Sequence, residues 1–361
     1  MEKVLLAFFT SLILTFISTP LAIKLAKKYG LVTDPEKKPH PAHIQFRIIP
    51  RAGGLPIFIG IFIATFLFVP LDKHIFGILI GSLILLITGL LDDKLQNFSP
   101  YPRLALQAIA AATVVASGVG ISFITNPTGG VLRLDQIVYP INFFGTHNIV
   151  LIADIFAFFW IIWMMNMINW AKGVDGQMPG IVTVAATTIG FLSLRLYFQG
   201  DPNQLPIAIL SFITAGASLG YLPFNWHPAK TLPGFSGSNV LAFMIAVLSI
   251  LSGAKLATAL LVLLIPSIDF FYTFFRRVLS GKSPFYGDQK HLHHLLLKRG
   301  LSHSQISLFY ILTCAILGYS STLLSSKEKL FTSLIVGVIV LGSILWLHLF
   351  YKEAEEETKT K

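Results

Sequence analysis

Residues 75–93 read IFGILIGSLILLITGLLDD. No charged residue interrupts the first seventeen positions, and a helix needs about 20 mostly apolar residues to cross a bilayer. The run is continuous and lacks the alternation of apolar and polar residues that is typical of strands in a membrane β-barrel. This stretch therefore predicts a membrane-spanning helix that ends in two adjacent carboxylates.

The whole chain has the composition of a membrane protein. Of its 361 residues, 54% are hydrophobic and 12% are charged, and the mean hydropathy is +0.73. Soluble domains carry about 25% charged residues, so soluble, disordered, collagen-like and disulfide-scaffold proteins are excluded. The lone Cys314 cannot form an internal disulfide. The sequence predicts an all-α polytopic membrane protein whose surroundings are a lipid bilayer.

Eleven segments are apolar enough to be candidate spans. We expect them to form a single integral-membrane domain over residues 1–351, followed by a charged tail over residues 352–361. The segments are Val4–Ile23, Ala52–Val69, Ile75–Leu91, Leu104–Ile124, Ile149–Met165, Pro179–Phe198, Pro206–Leu222, Asn239–Leu251, Leu256–Phe275, Ile306–Leu324 and Leu330–Tyr351.

The distribution of basic residues predicts the orientation of the spans. With the amino terminus outside, the inside connections carry 17 lysines and arginines and the outside connections carry 5. Such an excess marks the cytoplasmic side, so the carboxyl terminus is expected in the cytoplasm. Because the orientation explains the net charge of +10, nucleic-acid binding is not inferred. In the long outside connection, Val131–Val138 predicts a small hairpin.

Polar residues cluster at the predicted inner ends of the spans, where they are functional candidates. Asp92 and Asp93 suit a divalent cation or a cationic partner, or they form a solvated helix end. A second cluster lies within residues 166–176, where two amides, a lysine and a carboxylate accompany two glycines. Its candidates are Asn166, Asn169, Lys172 and Asp175; the alternative is amides that pack between helices.

Two further inner connections carry candidates for anion binding. The start of the eighth span offers backbone N–H groups of the kind that bind phosphate, at Gly234, Ser236, Gly237 and Ser238, or it is a loop with a serine cap. The last inner connection holds Arg276, Lys282, Asp288, His291, His293 and His294. Here phosphate binding by histidine and arginine is favoured over a zinc site.

Together these clusters predict a cytoplasmic active site for a phosphorylated, water-soluble substrate, with a lipid as the second substrate. A transporter or flippase of a phosphorylated or lipid-linked solute is the alternative from another class, although its ionisable residues are expected near the bilayer midplane. Among the candidate residues, Asp269 is the exception, because it lies inside the ninth span. The sequence leaves open whether the protein forms a homodimer, because the apolar outer faces of membrane helices do not indicate one.

The ordered motifs resemble those of the polyprenyl-phosphate N-acetylhexosamine-1-phosphate transferases. They are Asp92-Asp93, the Asn166-to-Gly176 segment, Pro228-Ala229-Lys230 with Gly234-x-x-Gly237-Ser238, and Asp288-x-x-His291-x-His293-His294. The resemblance runs from Pro50-Arg51-x-Gly53-Gly54 to about Gln305. The bacterial branch that primes O-antigen, enterobacterial common antigen and wall teichoic acid is the most similar.

The resemblance implies a reaction and a location. A UDP-N-acetylhexosamine, such as UDP-GlcNAc, gives its sugar-1-phosphate to undecaprenyl phosphate with the help of Mg²⁺, and UMP is released. This step primes cell-envelope glycans, including lipopolysaccharide, on the cytoplasmic face of the bacterial plasma membrane. The resemblance places Asp92 and Asp93 near the metal and the lipid phosphate, Asp175 in the catalytic segment, Asn169 at the substrate, and the three histidines at the diphosphate or the sugar.

This chain departs from the family pattern at two motif positions. Members usually have aspartate where this chain has Lys172 and Phe235. The two exchanges make the site three charge units more positive than the pattern. We expect the Lys172 ammonium to take over part of the role of the cation, with a weakened or differently placed metal site; an inactive homologue that retains binding is the alternative.

Overall fold

The structure is a computed structural model, and it describes residues 1–34, 47–95, 99–126, 129–142, 146–253, 256–284 and 287–359. Thirteen helices occur in this part of the chain. They are α1 (Glu2–Tyr29), α2 (Gly54–Phe68), α3 (Lys73–Leu95), α4 (Pro100–Ala116), α5 (Leu151–Trp170), α6 (Gln177–Phe198), α7 (Gln204–Asn225), α8 (Gly234–Leu251), α9 (Leu256–Val262), α10 (Leu264–Leu279), α11 (Leu292–Lys298), α12 (His303–Leu323) and α13 (Ser326–Lys359).

The all-α polytopic membrane class is confirmed. Among the described residues, eight helices are long and apolar enough to cross a membrane. A ninth span results if α9 and α10, which meet at an angle of 83°, are counted as one broken helix. The remaining two predicted spans fall on α2, with 15 residues, and α4, with 17. At about 1.5 Å per residue these two helices are shorter than the hydrocarbon core is thick.

Within the described parts of the connections lie three two-stranded antiparallel sheets. Two short strands after α1 and before α2 pair as β1 (Val32–Thr33) and β2 (Ile49–Pro50). The predicted hairpin is confirmed as β3 (Phe123–Thr125) with β4 (Val131–Arg133), and residues 127–128 of its turn lie outside the described part. The sequence reasoning missed a second hairpin, which consists of β5 (Val138–Asn142) and β6 (Thr146–Val150).

Helix α8 is the centre of the bundle. Nearly all of its residues are buried, and it contacts α2, α3, α5, α6, α7 and α9. A helix that is apolar on all sides is stable only when other helices surround it. Because α8 is central, its first turn is reached by Asp93 at the end of α3 and by Lys172 after α5.

Two glycines on α7 allow α1 to approach closely. A Cβ added at Gly216 would collide with the carbonyl oxygen of Phe8, and one added at Gly220 would collide with that of Leu12. The Ser11 hydroxyl donates a hydrogen bond of 2.8 Å to the Ile213 carbonyl across the same interface. Small residues four positions apart are typical of closely packed helices in membranes.

The substitution Gly220→Ala is expected to lower the unfolding temperature of the purified protein in detergent micelles, because overpacking typically costs about 1–3 kcal/mol. Gly342→Ala on α13 is the matched control, since no atom of the described residues lies within 4 Å of the added Cβ. Equal unfolding temperatures for both variants would contradict the close packing of α1 on α7.

Candidate active site

Asp93 joins the end of α3 to the start of α8. Its buried carboxylate accepts hydrogen bonds from the backbone N–H groups of Phe235 (2.9 Å) and Ser236 (3.3 Å) and from the Ser236 hydroxyl (2.8 Å). The first N–H groups of a helix have no partner within the helix and attract negative charge. The anion site predicted at Gly234–Ser238 is therefore filled by a carboxylate of the chain itself.

Three cations surround the two aspartates. Arg103 forms an ion pair with Asp92, and Nη1 of Arg51 lies 3.7 Å from Oδ1 of Asp93. The third cation, Lys172, and Arg103 both contact the ring of Phe235: Nζ of Lys172 lies 5.9 Å and Cζ of Arg103 lies 5.3 Å from its centroid. The aromatic ring thus attracts two cations at the position where the resemblance leads one to expect a carboxylate.

Lys172 is fixed by α8. Its ammonium donates to the carbonyl of Gly234 (3.0 Å) and to Oγ of Ser238 (3.2 Å), and the Ser238 hydroxyl in turn donates to Oδ1 of Asn169 (2.7 Å). Burial lowers the pKa of Lys172 to about 8. The ammonium group is therefore still mostly charged at neutral pH. The structure therefore brings Lys172, Asn169 and Ser238 together.

The two asparagines of α5 contact different partners. Asn166 donates to Oε1 of Gln107 on α4 (3.1 Å), and Gln107 in turn donates to Asn239 on α8. Asn166 therefore holds three helices together, whereas Asn169 contacts the serine beside Lys172. Gly237 also serves packing, because it lies against the backbone at the start of α2.

Asp175 forms a cluster with two histidines that the sequence reasoning missed. Its carboxylate lies 2.8 Å from Nδ1 of His227 and 3.9 Å from Nδ1 of His303, and it accepts the N–H of Ala229 at 3.1 Å. The two imidazole rings stack with centroids 4.5 Å apart. These three residues each offer one ligand atom, all within 4.8 Å of one another, so the cluster could hold a metal ion. No spacing in the sequence signals it, because its members come from three separate connections.

His291 is oriented by the aspartate inside the ninth predicted span. Nδ1 of His291 lies 2.8 Å from Oδ2 of Asp269, whose Oδ1 accepts the backbone N–H of Leu292 at 2.8 Å. Nη2 of Arg277 lies 3.4 Å from Nε2 of His291. Asp269 therefore belongs to the histidine cluster at the end of the bundle.

His293 and His294 are buried and neutral at pH 7. Burial lowers the pKa of His293 well below its usual range and that of His294 to about 4, and neighbouring histidines lower both further. Nδ1 of each ring is buried and has no hydrogen-bond partner among the described residues, which is an arrangement suited to a ligand. A Cβ at Gly173 would collide with the His293 ring, so this glycine lets the histidines touch the Lys172–Asp175 loop.

Arg276 and Arg277, at the start of the last connection, both form ion pairs with Asp288. Nη2 of Arg276 and Nε of Arg277 lie 3.0 and 3.1 Å from Oδ2 of Asp288. Burial raises the pKa of this carboxyl group, but the two guanidinium groups outweigh burial and hold it well below its usual range. Lys282 is exposed after the end of α10, and residues 285–286 lie outside the described part.

A continuous chain of contacts now joins the separate clusters. It runs from Asp93 to Ser236 on α8, from Ser238 to Asn169 and Lys172, and through Gly173 to His293. Residues from four connections therefore meet at one end of the bundle.

Comparisons with known proteins show which family this sequence is similar to. The sequence profile described as Glycosyl transferase family 4 matches residues 75–253. The "Undecaprenyl-phosphate alpha-N-acetylglucosaminyl 1-phosphate transferase" of Escherichia coli is 30% identical over 87% of this chain and 83% of its own length. The "Decaprenyl-phosphate N-acetylglucosaminephosphotransferase" of Mycolicibacterium smegmatis is 30% identical over 96% and 88%. The "Probable undecaprenyl-phosphate N-acetylglucosaminyl 1-phosphate transferase" of Bacillus subtilis is 28% identical over 94% and 90%.

The chain belongs to glycosyl transferase family 4. The resemblance stated from the motifs is therefore confirmed.

The aspartate pair of this family 4 chain does not fit the Mg²⁺ ion that the resemblance implies. Both oxygens of Asp93 accept hydrogen bonds from α8, Asp92 faces Arg103, and Phe235 offers no ligand atom. Mg²⁺ requires several oxygen ligands in octahedral geometry. The two carboxylates already face three fixed cations, so a divalent ion there would add to an excess of positive charge.

The substitution Asp93→Asn is expected to lower the unfolding temperature more than Asp92→Asn does. The asparagine side chain has an acceptor oxygen but a donor nitrogen, so it cannot accept all three hydrogen bonds that the carboxylate accepts. A buried donor without an acceptor costs about 1–3 kcal/mol. Asp92 faces one guanidinium instead. Thermal unfolding of the two variants beside the wild type in the same detergent measures the difference, and equal losses would show that Asp93 does not anchor α8.

Proposed function

We propose that this family 4 chain transfers the 1-phosphate of N-acetylglucosamine, or of a similar N-acetylhexosamine, from a UDP-sugar to undecaprenyl phosphate. An oxygen of the lipid phosphate attacks the phosphorus that bears the sugar. The bond from this phosphorus to the bridging oxygen breaks, and UMP leaves with that oxygen. The activities named for the relatives support this reaction, and the contact chain from Asp93 to His293 is the observation that carries it.

The site has the parts that phosphoryl transfer needs. This reaction depends mainly on placement and on neutralised phosphate oxygens. Lys172, Arg51 and Arg103 provide three fixed positive charges around one position. A phosphate monoester has a second pKa of about 6, so the lipid phosphate is mostly dianionic at pH 7 and a strong general base is unnecessary.

The histidines bind the donor in this proposal. Because His293 and His294 are neutral, each carries one N–H donor and one acceptor nitrogen. Their buried Nδ1 atoms without partners suit the diphosphate or the sugar. Asp269 acts through His291 as a positioning residue, since it fixes the ring that stacks on His293.

We further propose that fixed cations replace Mg²⁺ beside Asp92 and Asp93. A metal ion would instead be held by Asp175, His227 and His303, a donor set that suits a transition metal at least as well as Mg²⁺. Such an ion would polarise a phosphate oxygen.

The proposed location is the cytoplasmic face of the bacterial plasma membrane. The chain is a multi-pass membrane protein. The connections that carry the candidate site also carry most of the lysines and arginines, which favours the cytoplasmic side. Nucleotide sugars are water-soluble, so a site at the helix ends is accessible to them, and the product would prime a cell-envelope glycan.

A transporter of a lipid-linked solute is the second candidate. The broken pair α9 and α10 favours it, because discontinuous helices are typical of transporter binding sites. Asp269 on α10, however, binds His291 of the same cluster at the helix ends. Transport without bond cleavage would favour this candidate.

The purified protein is expected to release UMP from UDP-GlcNAc or a related UDP-sugar only when undecaprenyl phosphate is present. Lys172→Ala is expected to lower kcat by about a hundredfold, a typical loss for one group that stabilises transition-state charge. Lys73→Ala, at the opposite end of α3, is the control. Absence of lipid-dependent UMP release with a panel of UDP-N-acetylhexosamines would reject the transfer reaction.

Removal of Mg²⁺ is expected to change the wild-type rate by no more than about twofold, a small effect on the energy scale of catalysis. The double variant Lys172→Asp with Phe235→Asp is expected to require Mg²⁺, because it restores the carboxylates of the family pattern. It is also expected to bind one Mn²⁺ ion more than the wild type in titrations followed by electron paramagnetic resonance. Identical steep Mg²⁺ dependence in both proteins would contradict the replacement by fixed cations.

A further inference from the structure

One face of the sheet formed by β5 and β6 is apolar and exposed. Tyr139 of β5 pairs with Ile149 of β6, and the side chains of directly paired residues lie on the same face of a sheet. Ile137 and Leu151 are the next pair on this face, since the N–H of Leu151 donates to the Ile137 carbonyl at 3.0 Å. Each of these four side chains is apolar or aromatic, and each is 37–56% exposed.

The sheet is held on the start of α5, so the exposure of this face is a property of the fold. Strand β6 continues directly into α5. In the first turn of α5, Oδ2 of Asp154 accepts the backbone N–H of Val150 at 2.9 Å. The N–H of Ile121, before β3, donates to the Ala153 carbonyl at 3.3 Å. These contacts fix the position of the apolar face relative to α5.

The apolar face of the sheet continues into the exposed side of α5. Leu151 belongs to both, because it is also the first residue of the helix. Positions three and four apart lie on one side of a helix, and the exposed apolar residues of α5 have this spacing: Ile152, Ile155, Phe156 and Phe159. Helix α5 is one of the membrane spans, so lipid surrounds this side of it. The sheet therefore extends an apolar surface that contacts the bilayer.

The backbone of the sheet limits how deep it can lie. In the described part of the chain, β5 and β6 pair without a third strand, so each strand has an outer edge with unpaired N–H and C=O groups. Such edges do not occur in the hydrocarbon region of a bilayer, but water satisfies them at the headgroup level. Tyrosine is enriched at this level, because its ring is apolar and its hydroxyl group reaches water.

We propose that the apolar face of the β5–β6 sheet lies in the headgroup region of the leaflet opposite to the candidate active site. The partner is the lipid bilayer itself, and the sheet anchors the start of α5 at the membrane surface. This role is independent of the transfer reaction, because it requires neither a UDP-sugar nor a polyprenyl phosphate.

The anchor also sets the depth of the candidate active site. Helix α5 has 20 residues, which corresponds to a length of about 30 Å, and the hydrocarbon core of a bilayer is about 30 Å thick. When Leu151 lies at one surface, Asn169 and the following loop with Lys172 therefore lie at the other. The sheet and the cations are thus held at opposite surfaces of the membrane.

Nitroxide labels on single introduced cysteines test the depth of the apolar face by electron paramagnetic resonance. The full chain is placed in nanodiscs of phosphatidylethanolamine and phosphatidylglycerol. The collision rate of each label with oxygen, which concentrates in hydrocarbon, is compared with its collision rate with a water-soluble nickel complex. Cys314 is the only natural cysteine and is buried, so wild-type protein treated with the label gives the background.

Three labelled positions are compared. Phe159→Cys reports on the lipid-facing side of α5, and Ile149→Cys reports on the apolar face of the sheet. Asn148→Cys is the matched control, because neighbouring residues of a strand point to opposite faces. The ratio of oxygen to nickel collisions is expected to be highest at position 159, intermediate at 149 and lowest at 148. All three side chains are exposed, so unfolding temperatures equal to that of the wild type are expected.

Three results would each overturn the anchor. A collision ratio at position 149 equal to that at 148 would place the apolar face in water. A ratio equal to that at 159 would place it in the hydrocarbon interior. Protection of the label at 149 from both reagents would show that another protein chain covers the face. None of these results bears on the transfer reaction, and absence of UMP release would leave the anchor unaffected.

Discussion

The carboxylate of Asp93 at the start of α8 is the interaction on which the site depends. Helix α8 lies in the middle of the bundle, and its first N–H groups would be buried without partners if Asp93 were absent. By accepting them, Asp93 fixes the end of α3 against the start of α8. The same contact sets the position of the Gly234 carbonyl and of Ser238, to which Lys172 donates. The central helix thereby orients the cation as well as the carboxylates.

The charges around this contact show how a family 4 site can be built with a lysine and an aromatic ring at two motif positions. Arg103 and Lys172 both contact the ring of Phe235, which attracts both cations. The cations in turn balance Asp92 and Asp93. Positive charge is thus supplied by side chains that are fixed before the substrate binds, which is the arrangement that electrostatic stabilisation of a phosphate requires.

Much of this organisation could be predicted from the sequence. The apolar runs predict the helices, and the ends of those runs predict that Asp92, Asn169, Asp175 and the histidines lie near one another, because polar groups at helix ends share the membrane surface. The boundaries were harder: α2 and α4 are shorter than the apolar runs, and the break between α9 and α10 has no clear signal. The sequence could not distinguish the role of Asn166 from that of Asn169. Residues three positions apart share a face of a helix, whatever they contact.

The sequence by itself determined the class of the protein, its family and the set of residues that meet at one end of the bundle, because hydropathy and ordered motifs are local properties of the chain. Only the tertiary structure decided which partner each residue has. It assigned Asp93 to α8 and joined Asp175 to His227 and His303. These pairings bring together residues that are distant along the chain, and a buried polar group takes whichever partner the packing of the helices provides.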